Sequence, residues 1–173
     1  VLDCATSITQ RGTLKYYARE GKSTPAGMVI GRDGQAKTNT EEILVQLNTG
    51  EAALAPLGGI GEELAGYKGY GYATVVEILS AALQQGNYLK MLTGIQDGKK
   101  VPYHLGHFFI AIDTEAFMGL EEFKKTTGDI LRALRASQKA PGENRIYTAG
   151  EKEWEVWQQR KDSGVPINEA VQK

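Results

Sequence analysis

A largely apolar run, Tyr72 to Leu83, follows directly on Gly66-Tyr67-Lys68-Gly69-Tyr70-Gly71. Alanines, valines and leucines go nearly all round a helix drawn from Tyr72 to Gln85, so this helix belongs in an interior. Gly86 is its natural stop. Three glycines and a lysine ahead of a helix start also suit an anion. Glycine lets backbone N–H groups approach a ligand, and a helix N-terminus carries partial positive charge. Gly66, Gly69 and Lys68 together therefore predict a cradle for a phosphate, with Lys68 as the fixed cation. The spacing is neither the dinucleotide fingerprint nor the P-loop. A glycine-rich turn with no ligand is the competing reading.

The remaining chain bounds the partners. Apolar residues make up 41% and charged residues 24% of 173, a soluble globular composition with enough length for a core. Twenty basic against 21 acidic side chains leave a net charge of −1, which argues against a nucleic-acid partner. No apolar run reaches bilayer length, so no membrane partner is expected. The single cysteine, Cys4, allows no internal disulfide and fits a reducing, cytoplasmic setting. His104 and His107, with no thiol nearby, make a poor metal site, and no metal is predicted. No signal peptide is visible. The start, without methionine and apolar within two residues, leads us to expect that an N-terminal part precedes it.

Local signals place the elements. Leu2 to Thr6 reads as a short strand, and Ser7 as the cap of a helix to about Glu20 that Gly12 weakens. Asp33-Gly34 is a tight-turn signal. Thr40 caps a short helix that opens with Glu41 and Glu42. Residues 52–64 are irregular, as are 87–105. His107-Phe108-Phe109-Ile110-Ala111-Ile112 reads as a buried strand. Leu120, Phe123, Thr127, Ile130 or Leu131, and Leu134 recur at helical spacing to about Ser137. Arg145-Ile146-Tyr147 reads as a short strand. A last helix spans Glu151 to Ser163, with Trp154 and Trp157 packed on the body of the protein. Strand and helix do not alternate regularly, so one mixed α+β unit is expected rather than a doubly wound sheet.

Several of these stretches occur together, in order, in one family. They are Leu2-Asp3-Cys4-Ala5-Thr6-Ser7 with Gly12; Leu57-Gly58-Gly59; Gly66-Tyr67-Lys68-Gly69-Tyr70-Gly71 with Val76-Glu77-Ile78-Leu79; Gly106-His107 to Asp113; and Gly150-Glu151 with Arg160 and Gly164. On these the chain resembles the malate/L-lactate dehydrogenases of the non-Rossmann type, a family that also holds sulfolactate, ureidoglycolate and diketogulonate enzymes and a cyclic-imine reductase. It departs at Ala149, where the family usually has proline, a residue that would stiffen the helix entrance. The resemblance implies an α+β fold with a mixed, largely antiparallel sheet, packed helices and a non-Rossmann NAD(P) site. It implies an oxidoreductase that interconverts a 2-hydroxy acid, malate or L-lactate first, and its 2-oxo acid with NAD or NADP, as a homodimer.

By the same resemblance, residues 1–173 look like the C-terminal, cofactor-binding half, an incomplete family fold. The family's catalytic histidine and substrate-binding arginine belong to the other half, in a Ser-His-Gly context. Neither His104 nor His107 stands in that context. The chain alone is therefore expected to be inactive and to need the N-terminal half as its partner. Hydride transfer to a carbonyl requires a held nicotinamide, a proton donor and a cation for the carboxylate. The resemblance makes Asp3 the catalytic residue, a carboxylate that orients the missing imidazole. It gives Ala5, Thr6 and Ser7, then Gly66, Tyr67, Lys68 and Gly69, then Gly150, Glu151 and Lys152 to the cofactor. Ordinary structural duties compete at each position: a strand-end acid, helix caps and a solvated lysine. On those duties the chain would be a non-catalytic nucleotide-binding or structural module.

Overall fold

A computed structural model describes residues 1–172. The chain divides into two compact units. The larger holds residues 5–109; the smaller joins residues 1–4 to residues 110–172. Helix and antiparallel strand mix as expected, but among the described residues the sheets are two pairs of short strands.

The larger unit begins with α1 (Arg11–Arg19), β1 (Val29–Gly31), α2 (Thr40–Thr49) and β2 (Ala52–Leu54). Its core is one side chain from each of the first three, Leu14, Val29 and Ile43, all fully buried. Tyr17, Met28, Leu44, Leu47, Ala52 and Leu54 close around them. Strands β1 and β2 run antiparallel with Val29 opposite Leu54 and Gly31 opposite Ala52. The Asp33-Gly34 turn forms as predicted. Asp33 Oδ1 accepts the Gln35 N–H at 3.1 Å, and Gly34 takes φ +75°. The hydrogen bond from Lys37 Nζ to Asp33, followed by that from the Gln35 N–H, holds the Asp33 carboxyl below its usual value. The short helix α2 is capped by Asn39, whose Oδ1 accepts the Glu42 N–H, and not by Thr40. Thr40 is instead buried. Its Oγ1 donates to Lys22 O at 2.6 Å and lies 2.9 Å from Thr24 Oγ1.

Two sequence expectations fail at the start of this unit. No strand forms over residues 2–6, and α1 begins after Gln10 rather than after Ser7. Ser7 makes a single antiparallel bridge to Pro56 instead. The Leu57 N–H donates to Thr6 O at 3.0 Å and the Ile8 N–H to Ala55 O at 2.9 Å, so residues 6–8 lie along residues 55–57.

Helix α3 (Gly66–Ala81) starts six residues earlier than predicted, inside the glycine-rich motif. Its first turn presses on backbone. A Cβ on Gly69 would collide with Leu57 N, C and O, and one on Gly66 with Gly59 O. Gly71, by contrast, has open space around it. The expected burial of this helix is also overturned. Tyr70, Tyr72, Val75, Val76 and Ile78 are all more than half exposed, and only Gly66, Gly69 and Ala81 are buried. Beyond it, residues 89–93 form a 3-10 turn, and β3 (Ile95–Gln96) pairs antiparallel with β4 (Lys99–Lys100).

The smaller unit carries α4 (Leu120–Ala136), α5 (Glu151–Arg160) and α6 (Glu169–Gln172). Helix α4 is amphipathic as predicted. Lys124–Glu121, Lys125–Asp129 and Arg132–Asp129 pair along its polar surface. The predicted strands at 107–112 and 145–147 do not form, and Phe109 is 87% exposed. A strand needs a neighbour to take its hydrogen bonds, and no described residue pairs with either stretch. Trp154 and Trp157 lie against each other, tilted by 30° with centroids 5.0 Å apart, and stay more than half exposed, rather than packing inward.

The glycine contacts separate two neighbours in one motif. Gly69→Ala is expected to destabilise the chain by about 1–3 kcal/mol, because backbone must move. Gly71→Ala is expected to stabilise it by about 0.5–1 kcal/mol, because a helical glycine with no neighbour only costs entropy. Urea unfolding followed by circular dichroism measures both; equal effects at the two positions would refute the close approach at Gly69.

Candidate functional site

Segment 55–59 is the hinge point of the larger unit's candidate residues. On one side it hydrogen-bonds Thr6 and Ile8, and on the other its backbone meets Gly66 and Gly69. Ala5, Thr6 and Ser7 are thereby brought to the same locus as the first turn of α3. Gly58 and Gly59 make this possible. Their φ values are +100° and +104°, and a Cβ on Gly58 would lie 2.6 Å from Ala65 O. The sequence carries Leu57-Gly58-Gly59 as a motif but gives it no role. The adjacent glycines are the signal that a tight backbone approach was due.

The predicted phosphate cradle takes a different form. Ala65 sits in the left-handed region at φ +58° and opens α3 without a side-chain cap. The Gly66 N–H donates to Gly61 O at 3.1 Å and the Lys68 N–H to Ala65 O at 3.0 Å. Two donors expected to face an anion are thus engaged within the chain. The close approach at Gly66 and Gly69 is to the backbone of Gly59 and Leu57. What remains for an anion is the Lys68 ammonium and the positive end of α3. Lys68 is exposed, makes no ion pair with a described residue, and lies 5.9 Å from the Tyr67 ring centroid. Ser7 Oγ donates to Thr9 O at 2.6 Å, which leaves its lone pairs as acceptors. The donor set of an exposed ammonium beside a helix start fits a phosphate-bearing cofactor, through a side chain rather than a backbone nest.

Asp3, Gly150, Glu151 and Lys152 belong to the smaller unit. Asp3 is exposed. Gly150, at φ +89°, lies against Val1, whose O would be 2.7 Å from a Cβ there. The Glu151 carboxylate is deeply engaged. Oε2 accepts the Thr148 N–H at 2.9 Å, closing the entrance of α5, and Oε1 pairs with Arg135 Nε. Arg145 Nη2 lies 3.7 Å from Oε2 and also pairs with Glu155. The Thr148 N–H first, then the Arg135 charge, hold the Glu151 carboxyl below its ordinary value against the opposing effect of burial. The Glu155 carboxylate raises Arg145. Tyr147 receives two cations, Arg145 at 4.6 Å and Lys152 at 4.9 Å from its centroid. Glu151 is thereby a helix-entrance brace, a duty its place in the first turn allowed the sequence to suggest. Among the described residues no group of His, Cys, Asp and Glu could hold a metal ion, and no helix is long and apolar enough to cross a membrane.

Known proteins fix the company this chain keeps. The family model described as malate/L-lactate dehydrogenase matches residues 1–173. The chain is 39% identical over 171 residues to malate dehydrogenase of Pyrococcus horikoshii, covering 99% of this chain and 45% of that protein. It is 32% identical over 169 residues to L-sulfolactate dehydrogenase of Methanocaldococcus jannaschii, covering 93% and 42%. The crystal structure of malate dehydrogenase from Entamoeba histolytica superimposes with a TM-score of 0.89 at 41% identity, over 98% of this chain and 47% of that one. The chain spans less than half the length of these relatives.

The brace predicts a pH dependence. A carboxyl whose folded-state value is depressed stabilises fully above its unfolded value, here the ordinary 4.5, and the effect fades as pH falls through the lower folded value. Glu151→Gln is therefore expected to melt below the parent at neutral pH, with a smaller gap at an acidic pH below 4.5. Thermal melts at the two pH values check this. A gap independent of pH would mean that the charge on Glu151 contributes nothing.

Proposed function

The chain belongs to the malate/L-lactate dehydrogenase family, and on that premise we propose that it is the cofactor-binding part of an NAD(P)-dependent oxidoreductase for 2-hydroxy acids. Malate and L-lactate are the first candidate substrates, each interconverted with its 2-oxo acid. The observation that carries this reading is the shared locus of Ala5–Ser7 and the first turn of α3 on the two sides of segment 55–59. Two stretches sixty residues apart would then face one ligand.

A bound nicotinamide supplies or takes up the hydride. The chain's own residues bind and orient. Lys68 holds a phosphate or ribose oxygen as a point charge, helped by the positive end of α3. Thr6 and Ser7 offer hydroxyls, and Tyr67, more than half exposed, offers a face. Gly150, Glu151 and Lys152, in the smaller unit, offer a second helix entrance to the cofactor, with Glu151 bracing it and Lys152 supplying a cation beside Tyr147. Asp3, exposed at residue 3, orients an imidazole that the rest of the family polypeptide provides and stabilises its charged form. Gly66 and Gly69 act indirectly, by letting α3 sit on segment 57–59. The working enzyme is, on the same reading, a cytoplasmic homodimer completed by its N-terminal half.

Lys68→Ala is expected to weaken NADH or NADPH binding about tenfold or more, the loss of one charge-assisted contact, while the melting temperature stays within about a degree. Fluorescence titration and thermal melts on the same sample decide it. Loss of fold in step with loss of binding would remove Lys68 from the cofactor. The chain alone is expected to bind the cofactor and to reduce no 2-oxo acid; steady NADH oxidation by pure chain would show that the proton donor lies within these residues.

A further inference from the structure

We propose that the apolar cleft between α3 and the turn at residues 89–93 is the docking surface for the part of the family polypeptide that lies outside this chain. The cleft, about 770 Å³, is lined by Tyr70, Ile78, Ala81, Tyr88, Leu89 and Met91, among others. Its floor is one side of α3. Ile78 and Leu89 are 54% and 70% exposed, and Val75 and Val76 continue the apolar surface around the helix. A helix apolar on nearly every side has no stable place in water, and of its residues only Gly66, Gly69 and Ala81 are buried.

The cleft is pre-formed. Glu77 Oε1, from α3, accepts the Leu89 N–H at 2.5 Å and ties the far wall to the floor. The Gly86 N–H donates to Ala81 O at 2.9 Å, and Asn87 Nδ2 to Tyr103 O at 2.9 Å. Gln85 and Leu89 adopt φ of +56° and +48°, a left-handed conformation that non-glycine residues rarely take. Polar bonds thus fix the rim while apolar side chains are left facing outward. An arrangement held in this way loses little freedom when a partner enters.

The occupant follows from length and shape. The matched relatives are more than twice as long as this chain, so more than half of each family polypeptide is available to cover α3. A second copy meeting α3 across a two-fold axis would cover one stripe of the helix. A long non-identical segment can fill the cleft and also wrap the Val75–Val76 side. This inference rests on family membership and deepens the proposed function. It is read without cofactor or substrate, so its failure leaves the Lys68 titration standing.

The test uses the whole 173-residue chain. The parts of the Pyrococcus horikoshii and Entamoeba histolytica malate dehydrogenases that lie outside the match are each made as a separate polypeptide. Light scattering on mixtures is expected to show a one-to-one complex with at least one of them. Ile78→Glu and Leu89→Asp should each weaken it about 30-fold or more, as expected for central apolar anchors. Val45→Glu, an exposed change on α2, should leave it unchanged, and circular dichroism should be the same for all three. No complex with either polypeptide would overturn the proposal. So would a homodimer that Ile78→Glu breaks, which would make a second copy the occupant. A complex indifferent to both cleft substitutions would place the docking surface elsewhere and refute it as well.

Discussion

The larger unit's candidate site depends on the missing side chain at Gly69. Because a Cβ there would strike the Leu57 backbone, α3 can approach segment 57–59 only with glycine at that position. That approach fixes the start of the helix. Gly66 meets Gly59 O one turn earlier, on the same side of α3, so two glycines three residues apart form a seam. Each glycine in a helix costs about 1 kcal/mol relative to alanine, and packing at the seam must offset that cost. Gly71 lies off the seam in open space, so packing does not explain it. The same motif thus contains two glycines that the fold requires and one that it does not.

Segment 55–59 transmits this constraint to the start of the chain. It takes hydrogen bonds with Thr6 and Ile8 on one side and carries the glycine seam on the other. Residues 5–7 and 66–69 are therefore coupled by backbone rather than by side chains. A side chain at Gly69 would therefore disturb the packing of α3 on the same segment that holds residues 6–8. In the smaller unit the coupling is electrostatic. Arg135 from α4 and Arg145 from the preceding loop converge on Glu151 and set the entrance of α5. Exposed pairs of this kind are individually weak. The Thr148 N–H bond to the same carboxylate gives the arrangement its direction.

Features written in local chemistry were legible in the sequence. Helices α2, α4 and α5 lie close to where capping residues, first-turn acids and helical periodicity put them, because their hydrogen bonds are internal to the segment. The Asp33-Gly34 turn is legible for the same reason. The failures share a cause. Strands at 2–6, 107–112 and 145–147 require a partner elsewhere in space, and apolar, β-prone residues state the need for a partner without supplying it. The early start of α3 was hidden because the sequence cannot show that Leu57 and Gly59 would lie against Gly66 and Gly69. Glycines that read as a loop were the condition for a helix.

The exposure of α3 is the same failure seen from the side of burial. Its residues ask for an interior, as does the rest of the composition: 41% of the chain is apolar. Yet the fully buried large side chains are Leu14, Ile43, Val29 and Thr24, all in the first quarter of the sequence. Phe109, Phe117 and Met118 stand more than three-quarters exposed. A domain of this length ordinarily buries about two-thirds of the surface its unfolded chain exposes. The matched relatives are more than twice as long as this chain. Most of the apolar residues of 72–83 and of 107–112 thus stand at the surface of the described residues, where their composition asks for an interior.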